Sequence, residues 1–465
     1  MTHENENEQP EAGKAGARIL DHYDVEKAIT AVRKLAEGLI PATAHTKHRF
    51  RQEWLEQLIQ RYRERPGKPI IHLDDLDDEV IPTLAPEARS LLFPHWRQLV
   101  ERFGYMPSMN RFRCLRDIAV AKKTTQWSRL GTWRNLERTT GLRINQLEPF
   151  VTAVRASSAG TTRFVRNPKL PFNIASQSGA KMIGYRGDTA HDTSAFNNMD
   201  TLLHEDYKRA ILETVGEVPF TTTTRSDGYI RTNVGTLITI LTSKAGLDNS
   251  VRQKIARNPL PSWLFVTTDD VVVSALRAMY DAEGSPTVHS IQLTQTVWRS
   301  ITDTPETVPS WPRKLTVSSL EPDAQEAICH YPSLALVSVS LLLHRMGIRS
   351  FIAPSKISTT RHGTSVYWNL AIYRTRNMRR YEEKIGFLSP IKQNKLHHYN
   401  SLHRPHRPSS LPLLFRGIKE NFITVLPKQR PKAGIRNAEV QIHHRGSEDS
   451  LEEEPDTQPG DHRPR

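Results

Sequence analysis

Cysteine is scarce in this sequence of 465 residues, which contains only Cys114 and Cys329. Two cysteines exclude a disulfide framework and a cysteine-rich zinc site. Long apolar runs are also absent: residues 334–343 are interrupted by two serines and cover about half of a membrane span, which excludes a transmembrane protein. No glycine-rich nucleotide-binding motif occurs, and the acidic, polar start differs from a signal or transit peptide. We therefore expect a soluble, intracellular protein without membrane contact.

Positive charge dominates the middle of the chain. The sequence has 64 Lys and Arg against 50 Asp and Glu, a net charge of +14. Acids concentrate at the ends, because residues 1–11 contain four Glu without Lys or Arg, and residues 446–465 contain seven acids against two Arg. Residues 12–445 therefore carry a larger positive net charge than the +14 of the whole sequence. Such a body predicts a polyanionic partner, above all nucleic acid, although an inert basic surface is the alternative.

Composition and hydrophobic period divide the chain into regions. The acidic ends, 1–17 and 446–465, are predicted to be disordered tails, and residues 397–445 a basic extension. Residues 18–104 keep a helical period and predict a helical N-terminal region. Residues 105–168 predict short helices around a tight turn, which are equally consistent with a DNA-binding helix-turn-helix and with a structural hairpin. The predicted DNA contacts in that region are Arg116, Lys122, Lys123 and Arg134.

The most informative stretch, residues 275–285, predicts the end of a helix. Ala275, Ala278 and Ala282 lie on one side of this helix, and small residues let two helices approach closely. The helix closes in Glu283 followed by Gly284. An acid at a helix end can point into whatever lies below it, although a capping or solubility role is the simpler alternative.

The elements that follow this helix in the sequence indicate a particular protein family. A strand follows, on which Gln292 and Gln295 are predicted to share one face; then come a long helix ending in Met346-Gly347, a strand pair, and the stretch 385–395. This order resembles the second repeat of the LAGLIDADG (dodecapeptide, DOD-type) homing endonucleases. Upstream, residues 178–189 resemble a degraded first motif, in which Asp188 corresponds to Glu283.

The resemblance implies an α+β fold. Two pseudo-symmetric αββαββα repeats, at 169–270 and 271–396, would carry saddle-shaped antiparallel sheets behind an all-helical N-terminal region. It implies a monomeric endonuclease that hydrolyses both strands of a long, asymmetric double-stranded DNA site with Mg²⁺ or Mn²⁺. Asp188 and Glu283 would hold the metal, and Asn198 and Gln295 would order the nucleophilic water. Further predicted DNA contacts are Arg231, Lys244, Gln292, Lys356, Arg361, Arg374 and Arg376.

Departures from the family pattern keep a second function open. Thr189 replaces the usual glycine, Arg186 stands where an apolar residue is usual, and Pro286 replaces a basic or polar residue of some members. A catalytically inactive DNA- or RNA-binding protein on the same scaffold is the alternative, either a transcriptional regulator or an RNA-splicing maturase with intron RNA as partner. The sequence gives no prediction for residues 298–322 or for the target DNA.

Overall fold

The computed structural model describes residues 23–39, 50–104, 112–124, 128–157, 164–185, 188–190, 193–247, 259–299, 314–360 and 363–402. The two predicted acidic tails, the basic extension beyond residue 402 and Arg361 lie outside these residues. The helices are α1 (Val25–Glu37), α2 (Gln52–Glu64), α3 (Arg89–Phe103), α4 (Arg113–Ala119), α5 (Leu130–Thr140), α6 (Gln177–Tyr185), α7 (Thr201–Thr214), α8 (Thr236–Lys244), α9 (Asp269–Glu283), α10 (Pro322–Cys329), α11 (Leu334–Arg345), α12 (Thr375–Lys384) and α13 (Pro390–Leu402). The strands are β1 (Ile70–Ile71), β2 (Val80–Leu84), β3 (Val151–Ala156), β4 (Val165–Arg166), β5 (Phe172–Asn173), β6 (Asp188–Ala190), β7 (Thr193–Asn198), β8 (Thr221–Thr224), β9 (Ile230–Asn233), β10 (Gly284–Pro286), β11 (Ser290–Arg299), β12 (Lys314–Thr316), β13 (Phe351–Thr360) and β14 (Gly363–Tyr373).

Two antiparallel sheets in the second half of the chain share one strand order. The first sheet runs β6-β7-β9-β8, and the second runs β10-β11-β14-β13-β12. In each sheet the strand that follows a central helix, α6 or α9, lies at one edge. The second sheet has one more strand, β12, at the opposite edge. The predicted mixture of helices and antiparallel sheet is therefore confirmed.

Each sheet has one face covered by helices and one open face. In β11, Ile291, Leu293 and Val297 are buried, whereas Thr294 between them is exposed. Helix α11 packs against β11, β13 and β14 on the buried side. This period-2 alternation is what a half-buried strand requires. The open face remains available for a partner.

Helices α6 and α9 pack closely against each other. A Cβ atom added to Gly184 of α6 would lie 2.3 Å from the carbonyl oxygen of Ala275 and 2.8 Å from the Cβ of Ala278. Both alanines belong to the small-residue side of α9 that the sequence singled out. The close approach predicted from them is present, and it places the C-terminal part of α6 against the middle of α9.

The N-terminal region is not all helical, contrary to the prediction for residues 18–104. β1 pairs with β5, and β2 pairs with β3 in the sheet β2-β3-β4. Val80, Ile81 and Leu84 are buried, and β-branched residues favour such a strand. Pro82 is tolerated because β2 is an edge strand. The helical period missed these strands because each is too short to show its own alternation.

The predicted helix-turn-helix region contains α4 and α5, but other elements position both helices. α4 packs against α3, whereas α5 packs against α3 and β2. Trp133 and Leu136 of α5 are buried in the core that the N-terminal region shares with the rest of the described chain. The structural alternative therefore accounts for the apolar face of α5.

Helices α1 and α2 pack against α11, so the N-terminal region shares a core with the second sheet. The indole Nε1 of Trp54 donates to the carbonyl oxygen of Cys329 at 2.7 Å, and its ring packs edge-on against Trp368 at 5.7 Å. The hydroxyl of Tyr62 donates to the carbonyl oxygen of Leu260 at 2.9 Å. The first helices of the chain thus stabilise its last third.

Within the described residues no single helix has the length and apolar composition to cross a membrane. The pair α10 and α11, bent by 73°, reaches that length and composition only together.

We expect Trp54→Phe to lower the free energy of unfolding by about 2 kcal/mol, because the buried carbonyl of Cys329 loses its donor and the ring leaves a gap. Urea unfolding measures this loss. Phe93→Leu is the control, since Phe93 is 42% exposed, and it should change stability by about 0.5 kcal/mol or less. Equal stability of the two variants would show that the Trp54 contact contributes nothing.

Candidate functional site

Glu283 is the last residue of α9, and Gly284 continues in an extended conformation. Asp269 and Asp270 in the first turn suit the positive end of the helix dipole, but an acid at the C-terminal end meets the negative end. Helix stability therefore does not explain Glu283. Its carboxylate is exposed and accepts a hydrogen bond from the side-chain amide of Gln295.

Gln295 lies on the helix-covered face of β11, in register with Leu293 and Val297, and is only 7% exposed. Gln292 lies on the open face, where its amide donates to the hydroxyl of Ser290 at 3.0 Å. The prediction that the two glutamines share one strand face is therefore wrong, because residues three apart in a strand point to opposite faces. Gln295 therefore faces the carboxylate of Glu283 at the end of α9. Gln292 faces the open side of the sheet, where a binding partner could contact it.

Lys392 approaches the same helix end from α13, and sequence reasoning did not single it out. Its Nζ donates to the carbonyl oxygens of Asp281, at 2.6 Å, and Tyr280, at 3.3 Å. Burial lowers the pKa of this ammonium, although the negative charges of Asp281, Asp200 and Glu283 oppose that effect. The stretch 385–395, already part of the family resemblance, was the signal that could have found it.

Asp281 links the end of α9 to the start of α13. Its carboxylate accepts the backbone N–H groups of Leu388, at 2.8 Å, and Ser389, at 3.0 Å. Burial raises the pKa of Asp281 to about 6, against these hydrogen bonds, which favour the charged form. The hydroxyl of Ser389 donates in turn to Asp200 at 2.7 Å, at the N-cap of α7. A chain of hydrogen bonds therefore joins α9 and α13, beside the second sheet, to the start of α7, beside the first sheet.

Asn198 lies at the end of β7, on the helix-covered side of the first sheet. Its Oδ1 accepts the backbone N–H of Asp200 at 2.9 Å, and its Nδ2 faces the carbonyl oxygen of Ala282 at 3.5 Å. The structure therefore brings Asn198 next to the end of α9. Asp188 begins β6 and pairs with Ala195, whereas its side chain lies outside the described part of the chain.

His204 fixes the backbone of Asn198. Its Nε2 lies 3.1 Å from the carbonyl oxygen of Asn198, and its Nδ1 lies 2.9 Å from the hydroxyl of Thr232. Nε2 must therefore carry the proton, because a carbonyl only accepts, and Nδ1 accepts from Thr232. Burial lowers the pKa of His204, since the charged form is desolvated.

The buried His204 predicts acid sensitivity. With its pKa lowered in the folded state, the unfolded chain binds a proton at pH values where the folded chain does not. The free energy of unfolding should therefore fall as the pH drops from 7.5 towards 5. His204→Gln, which keeps a donor for Asn198, should weaken this dependence and cost about 1 kcal/mol at pH 7.5.

Urea unfolding at both pH values measures the effect. Thr232→Val is the control, because it removes the hydroxyl partner but keeps the titrating ring. It should cost about as much at pH 7.5 and retain the pH dependence of the wild type. An unchanged pH dependence in His204→Gln would contradict the assignment.

The predicted DNA contacts separate into two groups. Gln292, Lys356 and Arg231 belong to the open sheet faces, and Arg374 and Arg376 are exposed where β14 passes into α12. The others are positioned elsewhere. Lys244 pairs with Asp77 at 2.8 Å, Arg134 pairs with Asp78 and donates to the carbonyl oxygen of Asp74 at 2.8 Å, Arg116 pairs with Asp117 at 2.9 Å, and Lys122 and Lys123 are exposed after α4.

The five strands of the second sheet contain no acidic residue. Their open face instead carries amides and hydroxyls, such as Thr294, which donates to Asn369 at 2.6 Å. Amides and hydroxyls can donate to or accept from base edges and phosphate oxygens. This face fits a polyanion that offers many hydrogen-bonding groups.

The residues at the end of α9 fit a hard divalent cation. Among the described residues no three His, Cys, Asp or Glu side chains cluster around one point. Magnesium does not need such a cage, since it is usually bound by one or two carboxylates with water and substrate phosphates. The exposed carboxylate of Glu283 suits that mode of binding.

Comparison with known proteins gives one family match. Residues 270–386 match the family model of the LAGLIDADG-like domain. No curated protein matches the chain significantly. Solved structures of variants of the homing endonuclease I-DmoI are similar at 14% identity and a TM-score of 0.29, over 49% of this chain and 99% of theirs. I-DmoI in complex with DNA and Ca is similar at 14% identity and a TM-score of 0.28, over 49% and 99%.

Proposed function

We propose that this chain, whose residues 270–386 match the LAGLIDADG-like domain, is a homing-type endonuclease that cuts both strands of a long, asymmetric DNA site. The observation that carries the proposal is the position of Glu283. It ends a helix that packs at backbone distance against a second helix, it faces the unfavourable end of its own helix dipole, and it has Gln295 and Lys392 beside it.

The two sheets act as two repeats in this proposal, related by their common strand order. One chain then carries both halves of the site and works as a monomer. Asp188 and Glu283 are the acids of the two halves. The helices that precede them meet at Gly184, and in this proposal both acids act on the same stretch of the duplex.

The chain's own residues orient the reaction. A divalent ion would supply electrostatic stabilisation of the developing negative charge and would lower the pKa of a bound water. Glu283 would hold that ion, and Gln295, whose amide donates to the carboxylate, would orient the attacking water with its carbonyl oxygen. Lys392, whose ammonium binds carbonyl oxygens near the C-terminal end of α9, offsets the negative end of that helix. Asn198 plays the part of Gln295 in the first half.

Cleavage of a randomised duplex library tests this function. The purified chain is incubated with Mg²⁺ or Mn²⁺, and cut molecules are sequenced. Recovery of one long, asymmetric site cut on both strands supports the proposal. Tight, salt-sensitive binding without any cut would contradict it.

A second candidate is a DNA- or RNA-binding protein without nuclease activity. The first motif favours it, because Arg186 and Thr189 depart from the family pattern there, whereas the second motif retains Glu283 followed by Gly284. Binding to structured intron RNA, in preference to duplex DNA, would identify this function as that of a maturase.

A further inference from the structure

Among the residues that the structure describes, the second sheet is wider than the first by one strand. Strand β12 pairs antiparallel with β13, with Lys314 opposite Ser358 and Thr316 opposite Lys356. The first sheet ends instead at β8 within the described residues. The added strand comes from residues 298–322, for which the sequence gave no prediction.

The register places the open face of β12 in continuity with the rest of the sheet. Ile357 is buried on the helix-covered side, so its partner Leu315 points to that side. Thr316 and Lys356 are exposed, and Lys356 in turn lies opposite Tyr367 of β14. One polar face therefore extends across β11, β14, β13 and β12.

The N-terminal region holds the added segment in place. Strand β12 leads through a short turn, Val317–Ser319, into α10, and both this turn and α10 pack against β13. From α2, the amide of Gln57 donates to the carbonyl oxygen of His330 at 2.8 Å, and Glu53 contacts the His330 ring at 2.7 Å. Arg51 pairs with Glu326 of α10. Strand β12 is thus connected to α10, which the contacts from α2 hold in place.

Strand β12 is also the strand most distant from the junction of the two halves. Strand β10 follows α9 directly, so it lies nearest to the contact of α9 with α6, and β12 is at the other edge. Strands lie about 4.8 Å apart. One extra strand therefore extends the open face by about 5 Å, which equals the rise of roughly one to two base pairs.

We propose that β12 is a DNA-docking extension that makes the second half-site longer than the first. The inference rests on the proposed function, because it takes the open sheet face as the DNA-binding surface. Thr316 and Lys356 contact the outermost base pairs or phosphates on this side. The absence of acids from all five strands means that no charge on them opposes this contact.

Directed hydroxyl-radical cleavage tests the extension. Iron–EDTA is attached at Thr316→Cys or, as the matched position, at Thr223→Cys, an exposed threonine on the edge strand β8. Both cysteine variants also carry Glu283→Gln. The Glu283→Gln protein without an added cysteine measures the background cleavage from iron–EDTA attached at Cys114 and Cys329. The probe is the duplex selected by the wild-type chain.

We expect the Thr316→Cys conjugate to cut about one to two base pairs farther from the centre than the Thr223→Cys conjugate, at opposite ends of the site. Lys356→Ala should reduce the salt slope of binding by about one, whereas Lys34→Ala on α1 should leave it unchanged. Cuts at equal distances from the centre of the site, or no cuts by the Thr316→Cys conjugate above background, would contradict the role of β12 but leave the proposed endonuclease function intact. If no duplex is selected, the proposed function fails and the extension with it.

Discussion

Glu283→Gln should reduce DNA cleavage by about a thousandfold or more while binding to the selected duplex stays within about twofold. The substitution keeps the shape of the side chain and removes the charge that holds a divalent ion. That ion contributes several kcal/mol to the transition state, and each 1.4 kcal/mol is a factor of ten in rate. Single-turnover cleavage in Mg²⁺, with binding followed in Ca²⁺, separates the two effects.

The same substitution should leave the fold intact or slightly more stable. Glu283 faces the negative end of the α9 dipole, so neutralising it should raise the free energy of unfolding by about 0.3–1 kcal/mol. Asp270→Asn, in the first turn of the same helix, is the matched control. It removes a favourable charge and should lower stability by a similar amount without changing cleavage. Loss of activity together with loss of binding or stability in Glu283→Gln would contradict a metal-holding role.

Gly184→Ala should destabilise the protein by about 3 kcal/mol, more than a helix gains from replacing glycine by alanine. The new methyl group would lie 2.3 Å from a backbone oxygen of Ala275, which cannot move without shifting α9. Since Glu283 ends that helix, cleavage should fall more than DNA binding. Urea unfolding and single-turnover cleavage of the same preparation measure both effects.

Gly131→Ala provides the comparison within another helix. Its added methyl group would lie 3.3 Å from the Cβ of Asp78, whose side chain is 67% exposed and would need to shift by only a few tenths of an ångström while keeping its ion pair with Arg134. We expect a change of stability of about 0.5 kcal/mol or less. A Gly184→Ala protein as stable as Gly131→Ala would show that the two central helices do not need their close contact.

The second half of the chain was the easier part to predict. Small residues on one side of a helix predict which side is buried, and the acid and glycine that follow predict where the helix ends. The structure has both features in α9. The sequence correctly placed Gln292 and Gln295 in a strand, but assigning them to one face overlooked that residues three apart in a strand point to opposite sides. The roles of Asp188, Asn198 and the other site residues stay predictions.

The rest depended on contacts that sequence spacing does not encode. Lys244 and Arg134 read as free basic residues, although each meets a carboxylate of the acidic run that includes Asp77 and Asp78. Lys392 was passed over because its partners are backbone carbonyls, which every residue carries. Strand β12 has three residues, too few for any period, and is formed only because β13 offers it an edge.

The docking of the first helices on the last third of the described chain sets an order for folding during synthesis. Trp54 and the carbonyl it binds are 275 residues apart. At 5–20 residues per second, the ribosome needs roughly 15–55 s between making the two. Throughout that interval the apolar face of α2, including Trp54 and Tyr62, is made but has no α11 to cover it. The nascent chain therefore offers chaperones a long-lived binding site, and its N-terminal region is among the last parts to acquire its native packing.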